Sequence, residues 1–342
     1  MPSVLLSAIA ISHTLRGPSQ SANYDALNVD LPLLPPIAPQ LARSREALPE
    51  GPEWSYEPKW DGFRAIAFVD GGETYLQSRN GRPLSRYFPE VAFPAGRYVL
   101  DGELVILGDG DRQDFDALQM RLHPAESRVR KLAAERPAAF VAFDVLARGG
   151  KSLIEKPFER RRTELERVAK DPIALTPCTR SVKEAQKWLR GAEGVVAKEL
   201  AAPYLPGERT GMVKVKRVRT SDCVVVGWRP GKEKGTVGSL ILGLYDERGE
   251  LDVVGHTSGF KAKEKRELPK LLASYETGER GSGEPSRWSA GRDLEWIELR
   301  PELVCEVAFD HVSGRRIRHG AKFLRWREDK DPRQCTIDQL QN

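Results

Sequence analysis

Glu57-Pro58-Lys59-Trp60-Asp61-Gly62-Phe63-Arg64 is the stretch from which the chain is best read. It places a lysine two residues before an Asp-Gly pair and five before an arginine. A lysine amine attacks a phosphorus or carbonyl centre when its surroundings keep it neutral near physiological pH. Four letters recur by chance, and most lysines are solvated surface groups, so the weight falls on what surrounds them.

Downstream, 64–69 and 74–78 read as alternating strands across Gly71-Gly72, which predicts a hairpin. Two short apolar runs, 98–100 and 104–107, flank Asp101-Gly102-Glu103 and put that acidic triplet on or beside a strand. A further strand is predicted over 140–146, ending at Gly149-Gly150. Two helices follow. One covers about 157–169, with Arg and Glu at helical spacing. The other starts at Ser181 with Glu184 three residues on, a capping box, and Gly191 marks its stop. Strands at 194–198 and 212–218 come next. In the second, Lys214 and Lys216 are two apart and share one face.

The pattern changes near 219–222. Beyond it lie short strands at 223–228, 239–245, 251–255, 303–311 and 316–326, with one helix near 261–275 and a Gly/Ser-rich loop over 278–291. Several short strands with one helix suit a small barrel such as an OB-fold. The fold class is therefore α+β: antiparallel sheets with helices, then a C-terminal barrel. The domains are 31–219 and 220–342, after an N-terminal extension at 1–30 that lacks periodicity and reads as disordered.

Composition agrees. The 342 residues are 40% hydrophobic and 30% charged, which fits a globular chain of about two domains. A net charge of +5 permits nucleic-acid binding without requiring it. Cys178, Cys223, Cys305 and Cys335 are widely spaced, which argues against a zinc site or a disulfide framework and for a reducing cytoplasm. No run reaches the ~18 apolar residues of a membrane span. The apolar stretch 4–11 lacks the basic flank of a secretory signal.

Further motifs follow the lysine in order: Ser78-Arg79-Asn80-Gly81, Asp101-Gly102-Glu103, Phe143-Asp144, Glu193-Gly194-Val195-Val196-Ala197-Lys198, Lys214-Val215-Lys216 and Phe323-Leu324-Arg325-Trp326-Arg327-Glu328-Asp329-Lys330. This series resembles the successive motifs of the ATP-dependent DNA ligases, within the covalent nucleotidyltransferases. It is most similar to the small bacterial ligases of the ligase C type and to the ligase domain of bacterial end-joining ligase D. The likeness covers about 35–331. It implies an adenylation domain followed by an OB-fold.

The resemblance implies ATP as AMP donor, Mg²⁺ or Mn²⁺ as metal, and nicked duplex DNA as partner. Lys59 is then the nucleophile that forms lysyl-AMP. Lys214 and Lys216 lower its pKa and hold phosphates. Glu103 and Glu193 are the metal acids. Phe143 stacks on adenine, Glu57 accepts from the adenine amino group, Arg64 meets the ribose or the nick phosphate, and Arg79 meets the 5′-phosphate. Asp61 supports local geometry. Arg327, Asp329 and Lys330, with Arg325, orient pyrophosphate once a hinge at 216–222 closes. The larger ligases' separate helical DNA-binding domain finds no room here. The expected setting is a monomer in bacterial cytoplasm, working at the nucleoid with end-joining or repair proteins.

Two other readings compete. An RNA ligase or capping-type guanylyltransferase shares the lysine motif, but the C-terminal Arg-x-Arg-Glu-Asp-Lys run favours a DNA ligase. A catalytically decayed OB-fold DNA-binding protein is at odds with the intact set of Lys59, Glu103, Glu193, Lys214 and Lys216.

Overall fold

The computed structural model describes residues 30–108, 113–282, 295–310, 312–318 and 320–340. The chain divides into two compact units, Met1–Arg217 and Val218–Asn342. No helix among the described residues is long and apolar enough to cross a membrane.

The described residues of the first unit form two sheets. One has the order β4-β3-β5-β6-β7, from β3 (Phe63–Gly71), β4 (Glu73–Ser78), β5 (Gly96–Val105), β6 (Ala139–Arg148) and β7 (Lys151–Ser152). A short β8 (Ala174–Leu175) runs parallel to β6. The other sheet has the order β1-β10-β9-β2, from β1 (Arg43–Ser44), β2 (Trp54–Pro58), β9 (Gly194–Glu199) and β10 (Met212–Lys216). The predicted hairpin is β3–β4, and Gly71 at its turn has φ +62°, a conformation that glycine adopts without penalty.

Both faces of β3 are covered, and alternation decides which core each of its residues enters. Ala65, Ala67 and Val69 of β3 pack with Leu100, Leu104 and Phe140 in one core, while Ile66 and Phe68 pack with Val99 and Leu146 on the other side. The predicted helices are α3 (Phe158–Val168) and α4 (Val182–Gly191). Ser181 caps α4, its Oγ accepting from the Glu184 N–H. Two helices were not foreseen: α1 (Phe115–Arg121) and α2 (Glu126–Glu135). The first is only seven residues long and half of the second is charged, with only Val129 and Ala133 buried. Neither presents a strong apolar period.

In the second unit, β11 (Arg219–Pro230), β12 (Val237–Tyr245), β13 (Leu251–Ser258), β16 (Val304–Phe309) and β19 (Ala321–Trp326) close into a ring, β11-β12-β13-β19-β16, back to β11. β11 closes it because its first half pairs with β16 and its second half with β12, with a register shift between Val225 and Gly227. Such an irregularity bends a strand around a barrel corner. Leu268 and Leu272 of α5 (Ala262–Leu272) pack into the barrel core with Val224, Leu242 and Val307.

Two sequence expectations need correction here. Residues 278–282 of the supposed loop belong to β14 (Glu276–Ser282), paired with β15 (Glu295–Leu299); 283–294 lie outside the described residues. Trp296 closes over this pair at Gly281 and Gly227, a long-range contact invisible in a Gly/Ser-rich string. The single strand expected over 316–326 is two, β18 (Arg316–Ile317) in a hairpin with β17 (Val312–Ser313), then β19.

Candidate active site

Lys59 follows β2 directly. Its N–H donates to the Gly194 carbonyl at 2.9 Å, so the ladder between β2 and β9 runs on into the lysine. A Cβ at Gly62 would overlap the Leu104 carbonyl, and one at Gly194 would overlap that of Val215. The glycines of the Lys-x-Asp-Gly and Glu-Gly motifs thus let the chain pass close to neighbouring backbone at either side of the lysine.

The Lys59 ammonium contacts the Glu193 carboxylate, and the Lys216 Nζ lies 3.5 Å from the other Glu193 oxygen. Burial lowers the Lys59 pKa to about 8. Glu103 and Asp61 oppose the shift, while Lys216 and Lys214 assist it. Burial, more than the two lysines, is therefore the main cause, a correction to the expectation from sequence. Burial also raises Glu103 to about 7, against the pull of Arg64 and Lys59.

Glu57, Lys59, Arg64, Arg79, Glu103, Phe143 and Lys214 line one cleft. Arg64 grips Asp101 through two hydrogen bonds of 2.6 Å, and its guanidinium lies 4.6 Å from the Phe143 ring centre. Such an arrangement offers a partly neutral amine, an aromatic face, cations for phosphate and two acids for a divalent ion.

The sequence description "ATP dependent DNA ligase domain" matches residues 35–216, and "ATP dependent DNA ligase C terminal region" matches 233–330. This chain belongs to the ATP-dependent DNA ligases. It is 46% identical to DNA ligase C1 of Mycolicibacterium smegmatis over 335 residues, 91% of this chain and 96% of that protein. It is 44% identical to DNA ligase C of Mycobacterium tuberculosis over 347 residues, 92% and 96% of the two. A solved structure from a study of Lig E DNA ligases, 22% identical, covers 85% of this chain and 99% of its own with TM-score 0.55, a likeness of fold.

Within this ligase, the residues singled out from sequence fall into two groups. The cleft set and Glu193 with Lys216 belong to the first unit. Arg327, Asp329 and Lys330 belong to the second, where Arg327 bonds Asp329 twice at 2.9 Å and Asp222 at 2.8 Å. The hydrogen bonds from Arg327 hold the Asp329 carboxyl down at about 2. Arg325 pairs with Glu306. Arg79 stands exposed in the turn after β4.

Sequence reasoning gave no role to Lys198, Arg162, Asp101 or Arg209. Lys198 is 4% exposed; its Nζ reaches Glu57 Oε2 at 2.8 Å and the Phe143 carbonyl at 2.7 Å, tying β9 to β2 and β6. Arg162 of α3 approaches the other Glu57 oxygen at 3.7 Å. Burial raises the Glu57 pKa, and these two cations oppose it. The sequence signals for Lys198 were its place at the end of the Glu193–Lys198 motif and at the close of an otherwise apolar strand. Arg209 lines the cleft from the irregular stretch before β10.

Among the described residues, no group of three or more His, Cys, Asp or Glu could hold a metal by itself. Glu103 and Glu193 both act on Lys59, one through space and one by contact. Two carboxylates suit an ion that keeps waters and takes substrate phosphates, as Mg²⁺ does. The donor set fits.

The pKa of Lys59 sets a pH dependence. With Lys59 as the nucleophile that the resemblance implies, loading at subsaturating ATP should rise about tenfold per pH unit below the pKa and level off above about 8. A burst measurement of enzyme adenylation checks this; a rate flat from roughly pH 6 to 9 would contradict it.

Proposed function

We propose that this ligase seals nicks in duplex DNA as a monomer in cytoplasmic DNA repair, with Lys59 as its nucleophile and Mg²⁺ or Mn²⁺ held by Glu193 and Glu103. The observation that carries the reading is the buried Lys59 amine, lowered to about 8, in a cleft lined by Phe143, Arg64 and Lys214. In the first step the Lys59 nitrogen bonds to the α-phosphorus of ATP and pyrophosphate leaves. In the second, AMP passes from Lys59 to the 5′-phosphate of the nick. In the third, the 3′-hydroxyl attacks that phosphate and AMP departs.

Lys214 and Lys216 offset the charge that grows on the phosphates. When bound, the metal ion supplies Lewis-acid stabilisation of the phosphoryl oxygens. Arg79 is assigned to the 5′-phosphate and Glu57 to the adenine amino group. Arg327, Asp329 and Lys330 are assigned to pyrophosphate. Repair or end-joining proteins are the expected partners.

Incubation with radiolabelled ATP or GTP, followed by nicked DNA, tests the reading. The expected result is label from ATP alone, then a sealed strand. Label from GTP would favour a capping-type guanylyltransferase. Sealing of RNA ends with no sealing of DNA would favour an RNA ligase.

A further inference from the structure

Behind the nucleotide cleft lies a closed ring of hydrogen bonds. The Gln40 N–H donates to the Tyr204 hydroxyl at 3.0 Å, and that hydroxyl donates to Asp101 Oδ2 at 2.7 Å. Arg64 Nη2 donates to the same Oδ2 at 2.6 Å and also to the Gln40 carbonyl at 3.2 Å. Arg64 Nε donates to Asp101 Oδ1 at 2.6 Å. Gln40 is 2%, Asp101 0% and Tyr204 2% exposed, so the ring is shut off from water. Its one partly open member is Arg64, whose side chain is 21% exposed and lines the cleft beside Phe143.

We propose that Tyr204 is a positioning residue for the nucleotide: its hydroxyl fixes the Asp101 carboxylate, and through it the Arg64 guanidinium. This rests on the reading of the cleft as the ATP site. The packing of Tyr204 needs only its ring, which lies among Ile66, Phe68, Val99 and Leu146. Phenylalanine would fill that space equally well. What the hydroxyl adds is closure. Without it the Gln40 N–H loses its acceptor, and Asp101 Oδ2 keeps only Arg64.

A carboxylate held from one side can swing together with its guanidinium partner. Held from both sides it cannot, and Arg64 then meets the nucleotide already oriented, with less ordering left to occur on binding. Tyr204 belongs to the irregular stretch between β9 and β10 that also carries Arg209 to the cleft. The same contact therefore registers this connection against β3 and β5.

The test is Tyr204→Phe in the full chain. Two quantities are measured: the Kd for α,β-methylene-ATP by calorimetry, and the KM and kcat for ATP in enzyme adenylation. Both Kd and KM are expected to rise about tenfold, the scale of losing a hydrogen bond to a charged group, with kcat within about twofold. In an Arg64→Lys background the same substitution should add less than about twofold, because its effect passes through Arg64.

Unchanged Kd and KM, or equal increases in both backgrounds, would overturn the proposal. So would a fall in thermal stability with nucleotide binding untouched. Asp101→Asn keeps the shape and removes the charge that Arg64 grips. It should raise Kd at least as much, and an unchanged Kd there would also overturn the proposal, whether or not the phenylalanine variant folds. Failure of the wild-type chain to bind or be labelled by ATP would count against the ATP-site reading itself, a result distinct from any of these.

Discussion

Lys59→Ala is expected to abolish lysyl-AMP formation and ATP-dependent sealing, a loss of more than about 10⁴-fold, the scale seen when a covalent nucleophile is removed. The fold should survive. Lys59 is the partly open end of its ion pair with Glu193, and Glu193 keeps Lys216 at 3.5 Å as a counter-charge. The variant should still seal a nick that already carries AMP on its 5′-phosphate, because the step that needs the lysine has been bypassed. Gel detection of labelled protein, with the pre-adenylated nick as a parallel substrate, checks both halves. Label on the variant at wild-type stoichiometry would remove Lys59 from its role.

Glu193→Gln should cost about 10²–10³ in the rate of loading from ATP, the range for losing one well-placed charged group at a site of developing charge. Two effects oppose each other here. Removing the carboxylate beside Lys59 favours the neutral amine, which at neutral pH can gain no more than about tenfold, since the pKa is already near 8. Removing a metal acid loses more. The net effect is a loss that added Mg²⁺ does not restore. Gln keeps the volume of a side chain only 5% exposed, so thermal stability should move little by comparison. Unchanged adenylation across a Mg²⁺ titration would reduce Glu193 to an ordinary acid that happens to pair with Lys59.

Much of this was legible in the sequence, for reasons that the structure makes physical. The Lys-x-Asp-Gly stretch was informative because each part of it answers to a local constraint: Pro58 ends the strand that delivers Lys59, and Gly62 has no room for a side chain beneath Leu104. Lys214 and Lys216 were readable as a same-face pair because strand periodicity is two. The β3–β4 hairpin followed from two strand-like runs on either side of its turn glycines.

What escaped notice depends on partners distant in sequence. Lys198 and Tyr204 gain their roles from Glu57, Phe143, Asp101 and Gln40, which are 55 to 164 residues away in the chain. No local period encodes such a contact. Arg64 was assigned to ribose or phosphate, and its grip by Asp101 from behind went unseen. The main cause of the Lys59 shift was likewise misread: lysine neighbours are visible in a string, and burial is not. Residues 278–282 of β14 were taken for loop because glycine is a poor strand former, and Trp296 across the pair supplies the packing that Gly281 lacks.

The most direct test of the central claim is to map the adenylated residue. The protein is loaded with labelled ATP, freed of nucleotide, and divided. One portion is digested and the AMP-bearing peptide is sequenced by mass spectrometry; the other receives nicked DNA without ATP. The account predicts AMP on the Lys59 nitrogen, and a single turnover of sealing that removes it. AMP on any other residue, or label on Lys59 that nicked DNA does not discharge, would contradict it.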